Sequence, residues 1–258
     1  MYAENFSLPD YLARIRYKGT PKADIETVAS LMRHQLFSVP FENLDVQAGK
    51  IVSLTPEDIV HKIVYRKRGG YCYEVNGIFA MALEALGVPY QFAAARPMIY
   101  PERRPRTHVV LVVTLDGEQW LCDLGFGSYG IRAPMRLSEL DTEIAQDFDA
   151  FKLIPIDNGF YLLQAKVDGE WANQYAFDLS YQEWVDFAPA NHLNSTHPGS
   201  IFVQKPIAVL HTEDGRKILA GDSFKIVTRG QAEKRTIAWE ETVGILMHEF
   251  GLNMPPRA

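Results

Sequence analysis

The sequence predicts an α+β fold built in three stretches, and three observations carry that prediction. Apolar positions recur every three or four residues through the first third, the period of a helix with one buried face. The middle switches to β-branched runs punctuated by Asp-Gly dipeptides, the mark of antiparallel hairpins. Helices therefore come first and strands follow, without the βαβ alternation of a parallel sheet. The expected division is a helical unit over 1–87, a strand-rich unit over 88–190 and a small α/β unit over 191–258.

The helical elements can be justified in order. Pro9 to Tyr17 carries Tyr11, Leu12 and Ile15 on one stripe, and Gly19 and Pro21 interrupt it. Asp24 to Phe37 repeats the pattern with Ile25, Val28, Leu31, Met32 and Leu36, and Pro40 ends it. Thr55-Pro56-Glu57-Asp58 reads as a helix start, with Thr55 as N-cap and Pro56 at the first helical position. A further helix runs from Cys72 to Leu86 with Val75, Ile78, Phe79, Ala82, Leu83 and Leu86 on its buried face. Gly87 caps it, and Pro89 forbids continuation.

The strands follow. Thr107 to Leu115 is dense in valine and threonine, Asp116-Gly117 is a hairpin turn, and Glu118 to Leu124 returns. Phe160–Val167 and Trp171–Phe177 form a second hairpin about Asp168-Gly169. Between the two hairpins, residues 138–150 are polar and acidic and read as a surface loop or short helix. A third Asp-Gly turn is expected at Asp214-Gly215, beside strands around Ile207–His211 and Phe224–Val227, before a final amphipathic helix over Trp239–Phe250.

Composition narrows the function classes. Asp plus Glu is 32 against 26 Lys plus Arg, a formal net charge of −6, which lacks the basic footprint of a nucleic-acid binder. No apolar run reaches the roughly 18 residues of a membrane span. The start of the chain has no signal-peptide core, and two cysteines, Cys72 and Cys122, suit a reducing compartment, so the expected location is the cytoplasm. Two cysteines form no four-cysteine zinc site, and no metal is expected.

The chemistry centres on Cys72. A lone cysteine is usually a small buried hydrophobe. Here it follows Gly69-Gly70 and opens a helix, where unpaired N–H groups and the helix dipole favour the thiolate. The glycine pair is expected to let backbone and substrate approach closely. Cys122 lies inside a strand and reads as core packing. A nucleophilic thiol needs a base, and the base needs an orienting group. Pairing the hairpin about Asp116-Gly117 sets Leu115 opposite Glu118 and Val110 opposite Asp123. Side chains alternate along a strand, so His108 shares the Asp123 face as a diagonal neighbour, about 7–8 Å away at the backbone. A three-residue loop would shift the pairing by one and break this geometry. A solvent-facing histidine near a strand-end aspartate is the plainer alternative.

Several segments, taken together, resemble the arylamine N-acetyltransferase family. They are Val39-Pro40-Phe41-Glu42-Asn43-Leu44-Asp45, then Arg66-Lys67-Arg68-Gly69-Gly70-Tyr71-Cys72-Tyr73-Glu74-Val75-Asn76, then Thr107-His108, then Asp123-Leu124-Gly125-Phe126-Gly127. Asn191, Ser195-Thr196-His197-Pro198 and Phe202 add a weaker match. The resemblance implies a papain-like Cys72, His108, Asp123 triad. It also implies a helical bundle, a central antiparallel β-barrel and a C-terminal α/β lid. Acetyl-CoA is the implied co-substrate, and an arylamine, arylhydrazine or N-hydroxyarylamine is the implied acceptor, as in xenobiotic acetylation. Thr107, Phe126, Gly127 and Phe202 are implied contacts of the pantetheine arm, with Phe41 and Phe126 as an aromatic wall. Arg68 and Glu42 are expected to pair near the site, with Asn76 beside them. No Walker or dinucleotide fingerprint is present, and Arg103-Arg104-Pro105-Arg106 is either a phosphate contact or a solvated loop. Two other readings stay open: an amide synthase that releases a polyketide or other acyl chain onto an aromatic amine, and a cysteine hydrolase of amides.

Overall fold

The computed structural model describes residues 1–127 and 129–256. Helix α1 (Leu8–Arg14) starts at Ser7, whose hydroxyl accepts the Asp10 N–H, and α2 (Ile25–Ser38) starts at Asp24, whose carboxylate accepts the Thr27 N–H at 2.8 Å. Helix α1 stops short of the expected Tyr17, because the chain turns through a left-handed Arg16. Strand β1 (Phe41–Glu42), α3 (Leu44–Gln47) and α4 (Pro56–Val60) follow, and α4 runs on as a π turn over His61–Tyr65. Thr55 occupies the N-cap position but makes no capping hydrogen bond. Helix α5 (Cys72–Ala85) is buried from Cys72 through Leu83 on every side. The single buried face expected for it is too narrow a description: this is a central helix with elements packed all round.

The second stretch forms an eight-stranded antiparallel sheet. Its strands are β2 (Tyr90–Pro97), β3 (His108–Leu115), β4 (Glu118–Cys122), β5 (Met135–Arg136), β6 (Ile144–Gln146), β7 (Asp149–Ile156), β8 (Phe160–Val167) and β9 (Glu170–Phe177). The order across it is β5-β4-β3-β2-β9-β8-β7-β6. Among the described residues no ladder joins the two end strands, β5 and β6, so the sheet is a curled half-barrel rather than the closed barrel expected. Their edges are bridged instead by one side chain. The Gln146 amide accepts the Arg132 and Ala133 N–H groups and donates to the Ala133 carbonyl. The acidic stretch 138–150 is likewise not simply loop or helix, since it holds β6 and the start of β7.

After α6 (Ala188–Thr196) and α7 (Ile201–Gln204) come β10 (Ile207–Thr212), β11 (Gly215–Ala220), β12 (Ser223–Thr228), β13 (Gln231–Thr236) and α8 (Trp239–Phe250). These strands form a second antiparallel sheet in the order β1-β10-β11-β12-β13. The expected turn at Asp214-Gly215 is displaced by one residue. Thr212 pairs with Gly215, so Glu213-Asp214 makes the turn and Gly215 belongs to the strand.

The two sheets are tied by a buried guanidinium. Arg132 is 1% exposed and lies between them. From the first sheet it meets Asp147 at 3.1 Å and Asp149 at 3.4 Å. From the second it donates to the carbonyls of Thr212 and Gly215. Buried charge is costly unless paired and hydrogen-bonded, and here nearly every donor has an acceptor. Replacing Arg132 with methionine should therefore lower stability by about 3 kcal/mol, measured by urea denaturation, because two carbonyls and a carboxylate cluster lose their partner. Arg33→Met, at the exposed end of the same Asp147, should cost under about 1 kcal/mol.

Candidate active site

The site forms where α5 meets β3 and the chain leaving β4. The hairpin register is the one expected: Leu115 pairs with Glu118 and Leu111 with Cys122. Asp116 and Gly117 both have positive φ, at 52° and 78°, as a two-residue turn of this kind requires. Continuing that register sets Asp123 beside His108, and the His108 Nε2 to Asp123 Oδ2 distance is 2.8 Å. An ionised carboxylate only accepts, so Nε2 carries the hydrogen and Nδ1 is left as the basic nitrogen.

Asp123 is fully buried and gathers three donors. Besides His108, the Gly125 N–H reaches Oδ1 at 2.8 Å and the Asn76 amide reaches it at 3.1 Å. Burial alone would push this carboxyl up, but His108 and the two other donors outweigh it and hold Asp123 below the usual carboxylate range. Asn76, one helical turn after Cys72, also donates to the Val109 carbonyl and accepts the Leu124 N–H at 2.9 Å. It therefore locks α5, β3 and the Asp123 segment together. Gly125 is needed for this closeness, since a Cβ there would stand 2.5 Å from the Cys72 Cα.

Cys72 is the first residue of α5 and is 2% exposed. Burial works against the thiolate-favouring effect expected of the helix start. Burial pushes the Cys72 thiol up, and the Asp123 charge adds to this; amides of Val109 and Tyr73 aimed at the sulfur only partly oppose it. Glu74 Oε2 accepts the Tyr71 N–H at 3.0 Å and caps the helix start, leaving the Tyr73 N–H aimed at the sulfur. The glycine pair, too, serves packing rather than substrate approach. A Cβ on Gly69 would lie 1.9 Å from the Pro40 carbonyl oxygen.

An ion network anchors this helix start. Arg68 meets Glu42 at 2.7 Å, as expected, and Asp45 at 2.8 Å. Lys62 joins Asp45 at 2.7 Å and Glu74 at 2.6 Å. Three carboxylates thus face two cations, and Glu74 bears the imbalance: burial pushes it up to about 7 despite Lys62.

Cys72 and His108 line one cavity of about 550 Å³. Phe41, Thr107, Phe126, Gly127 and Phe202 line it as well, so every residue expected to contact substrate is brought together there. Its far wall comes from the second sheet, with Ile207, Val209, Ile218 and Ala220. Asn76, Arg68 and Glu42 do not line it and act from behind. Some residues at the site were not read from the sequence. Tyr175 packs on His108 and Phe126, with ring centroids 5.0 and 4.9 Å away, and its buried hydroxyl has no hydrogen-bond partner among the described residues. The Thr107 carbonyl, 3.9 Å from Cys72 Sγ, accepts from the Tyr73 hydroxyl and the Asn194 amide. Strand alternation does put Tyr175 on the Phe177 face, but no local signal places β9 beside β2. The weak Asn191 and Ser195 match has a structural counterpart, since both contact the Tyr71 hydroxyl.

Similarity to known proteins identifies the class. A sequence model described as N-acetyltransferase matches residues 24–258. The arylamine N-acetyltransferase of Escherichia coli (strain K12) is 32% identical over 252 residues, covering 96% of this chain and 89% of that protein. The solved arylamine N-acetyltransferase from M. tuberculosis superposes with a TM-score of 0.91 at 32% identity, over 96% of this chain and 94% of that one. The Mycobacterium marinum enzyme, solved in complex with CoA, gives 0.90 at 34% identity, over 96% and 93% of the two chains. The class is therefore acyltransferase. The chain belongs to the arylamine N-acetyltransferase family.

Two substitutions test the site's construction. Asn76→Ala strands the Leu124 N–H and the Val109 carbonyl and takes one donor from Asp123. It should lower stability by about 2–4 kcal/mol in urea denaturation. Cys122→Ala should cost about 1–2 kcal/mol, the loss of a fully buried sulfur. The rate of Cys72 alkylation should not change, because Cys122 faces the opposite side of β4 from Asp123. A slowed Cys72 in a fully folded Cys122→Ala protein would contradict that strand parity.

Proposed function

We propose that the protein transfers an acetyl group from acetyl-CoA to an arylamine, arylhydrazine or N-hydroxyarylamine through an acetyl-Cys72 intermediate. The observation that carries this is the 2.8 Å His108–Asp123 contact, made behind a cavity that His108 and Cys72 both line. The Cys72 thiol proton passes to His108 Nδ1, and the thiolate paired with that imidazolium attacks the thioester carbonyl. This proton stays inside the pocket, so no net charge is buried, and burial opposes the step less than it opposes loss of the proton to water. Asp123 stabilises the imidazolium that forms. The donor's carbon–sulfur bond breaks, and His108 returns the proton to the leaving CoA sulfur. The acetyl-enzyme is itself a thioester, so this half-reaction is close to balanced in energy. In the second half the amine nitrogen attacks the acetyl carbon, its proton passes to His108, and Cys72 leaves. Two half-reactions with a covalent intermediate give ping-pong kinetics.

A mainly apolar cavity favours transfer over hydrolysis. Phe41, Phe202, Val209 and Ile218 give an aromatic acceptor surface to pack on and give water few partners. The Mycobacterium marinum relative's complex with CoA supports CoA as the donor's carrier.

Intact-protein mass spectrometry tests the proposal. Acetyl-CoA alone should leave one acetyl group on Cys72, and an arylamine should remove it with formation of the acetylated amine. Rapid loss of the adduct in buffer would indicate a hydrolase. An adduct formed only from an acyl-carrier thioester would indicate an amide synthase. Cys72→Ser should fold normally, form no adduct and lose turnover by at least about a thousandfold.

A further inference from the structure

One end of the same cavity carries positive charge that chemistry at Cys72 does not use. Four guanidinium groups, Arg96, Arg103, Arg104 and Arg106, lie on the end of β2 and the loop to β3. Two of them are committed. Arg106 holds both oxygens of Asp178, at 3.0 and 2.9 Å, and this is the only ion pair the loop makes among the described residues. Arg96 donates to the Arg104 carbonyl and so holds the loop backbone.

Arg103 and Arg104 differ from these. Both line the cavity, and neither meets a carboxylate among the described residues; Glu102, their neighbour, is exposed and does not line it. The Arg104 guanidinium lies 3.8 Å over the Tyr100 ring and reaches the Gly199 carbonyl only at 3.4 Å. Stacking fixes the plane of a guanidinium and leaves its other N–H groups for a bidentate anion. No Asp or Glu among the described residues lines the cavity, in a chain whose formal net charge is −6. The position is also within reach of the reaction. Thr107, whose carbonyl is 3.9 Å from Cys72 Sγ, lies three residues after Arg104, so the two Cα atoms are at most about 11 Å apart and the guanidinium lies within one side-chain length of that.

We propose that Arg103 and Arg104 form an anion seat in the wall of the Cys72 cavity, filled by an anionic group of a reacting substrate. The proposal rests on the acetyl-transfer reading. The group has two possible sources, the phosphates of the acyl donor or the carboxylate of an acidic arylamine, and separate assays distinguish them.

The test compares kcat/KM in the unaltered protein, Arg103→Ala/Arg104→Ala and Arg103→Lys/Arg104→Lys. Donors are acetyl-CoA and S-acetyl-N-acetylcysteamine, which has no phosphate. Acceptors are 4-aminobenzoate and its neutral amide, 4-aminobenzamide. If the seat takes phosphate, the double alanine variant lowers the acetyl-CoA to short-donor ratio about tenfold, and the lysines restore most of it. If it takes carboxylate, the same drop appears in the aminobenzoate to aminobenzamide ratio. Both ratios unchanged overturns the seat. Calorimetric binding of CoA and of 4-aminobenzoate keeps the two readings separable. Should no donor support transfer, the acetyl-transfer reading fails on its own. Weaker binding of either ligand to the double alanine variant would still uphold the seat, and equal binding of both would overturn it.

Discussion

The site depends on keeping one carboxylate ionised where water cannot reach it. Asp123 has no exposed atom to speak of, and a buried charge costs several kcal/mol unless the fold surrounds it with donors. Its three donors come from three places: the His108 ring on β3, the Asn76 amide on α5 and the Gly125 N–H just after β4. Satisfying Asp123 therefore brings together the helix that starts at Cys72 and the strand that starts at His108. The same contacts choose the imidazole tautomer. Structure and chemistry at this point are one requirement, since the hydrogen bonds that make the burial tolerable also leave Nδ1 as the base.

A second layer of charge fixes where that helix begins. Lys62 and Arg68 hold Glu42, Asp45 and Glu74, and these residues come from β1, α3, the π turn and α5. Glu42 and its neighbour Phe41 also pair with β10, so the network reaches the second sheet. The consequence for the cavity is direct. Its aromatic wall at Phe41 and its aliphatic wall at Val209 are adjacent partners in one ladder. Arg132 makes the corresponding tie on the other side, between Asp147 or Asp149 and the β10–β11 turn. Two sets of ion pairs thus tie the sheets together outside the cavity, while its lining is mostly apolar.

Much of this was legible from local rules. The Asp116-Gly117 turn fixes a register, and the register puts Asp123 next to His108 without any tertiary information. Gly87 and Pro89 end α5 close to where they should, and Trp239–Phe250 is helical over its full expected length. What escaped was non-local. Strand β2 contains Ala93-Ala94-Ala95, poor strand formers that are strands because β3 and β9 flank them. Strand β1 is two residues long and pairs across more than 160 positions of sequence with β10. That β5 and β6 end the first sheet without joining is equally non-local, and no pattern in the polar 138–150 stretch reveals it. The setting of the thiol was only half legible for a related reason. A helix start is visible in sequence, but its burial is a tertiary fact, and burial pushes the Cys72 thiol up against the helix-start effect.

Against that burial, Cys72 is reactive near neutral pH only as the partner of an imidazolium that Asp123 supports. The direct measurement is the rate of Cys72 alkylation by iodoacetamide against pH, in the unaltered protein and in Asp123→Asn. The account predicts fast alkylation extending well below pH 7 in the unaltered protein. In Asp123→Asn the amide keeps the shape and removes the charge, so alkylation should rise only above the free-thiol value of about 8.5, as burial of an unsupported thiol requires. Identical profiles in the two folded proteins would contradict it, and would remove Asp123 from the chemistry of the thiol.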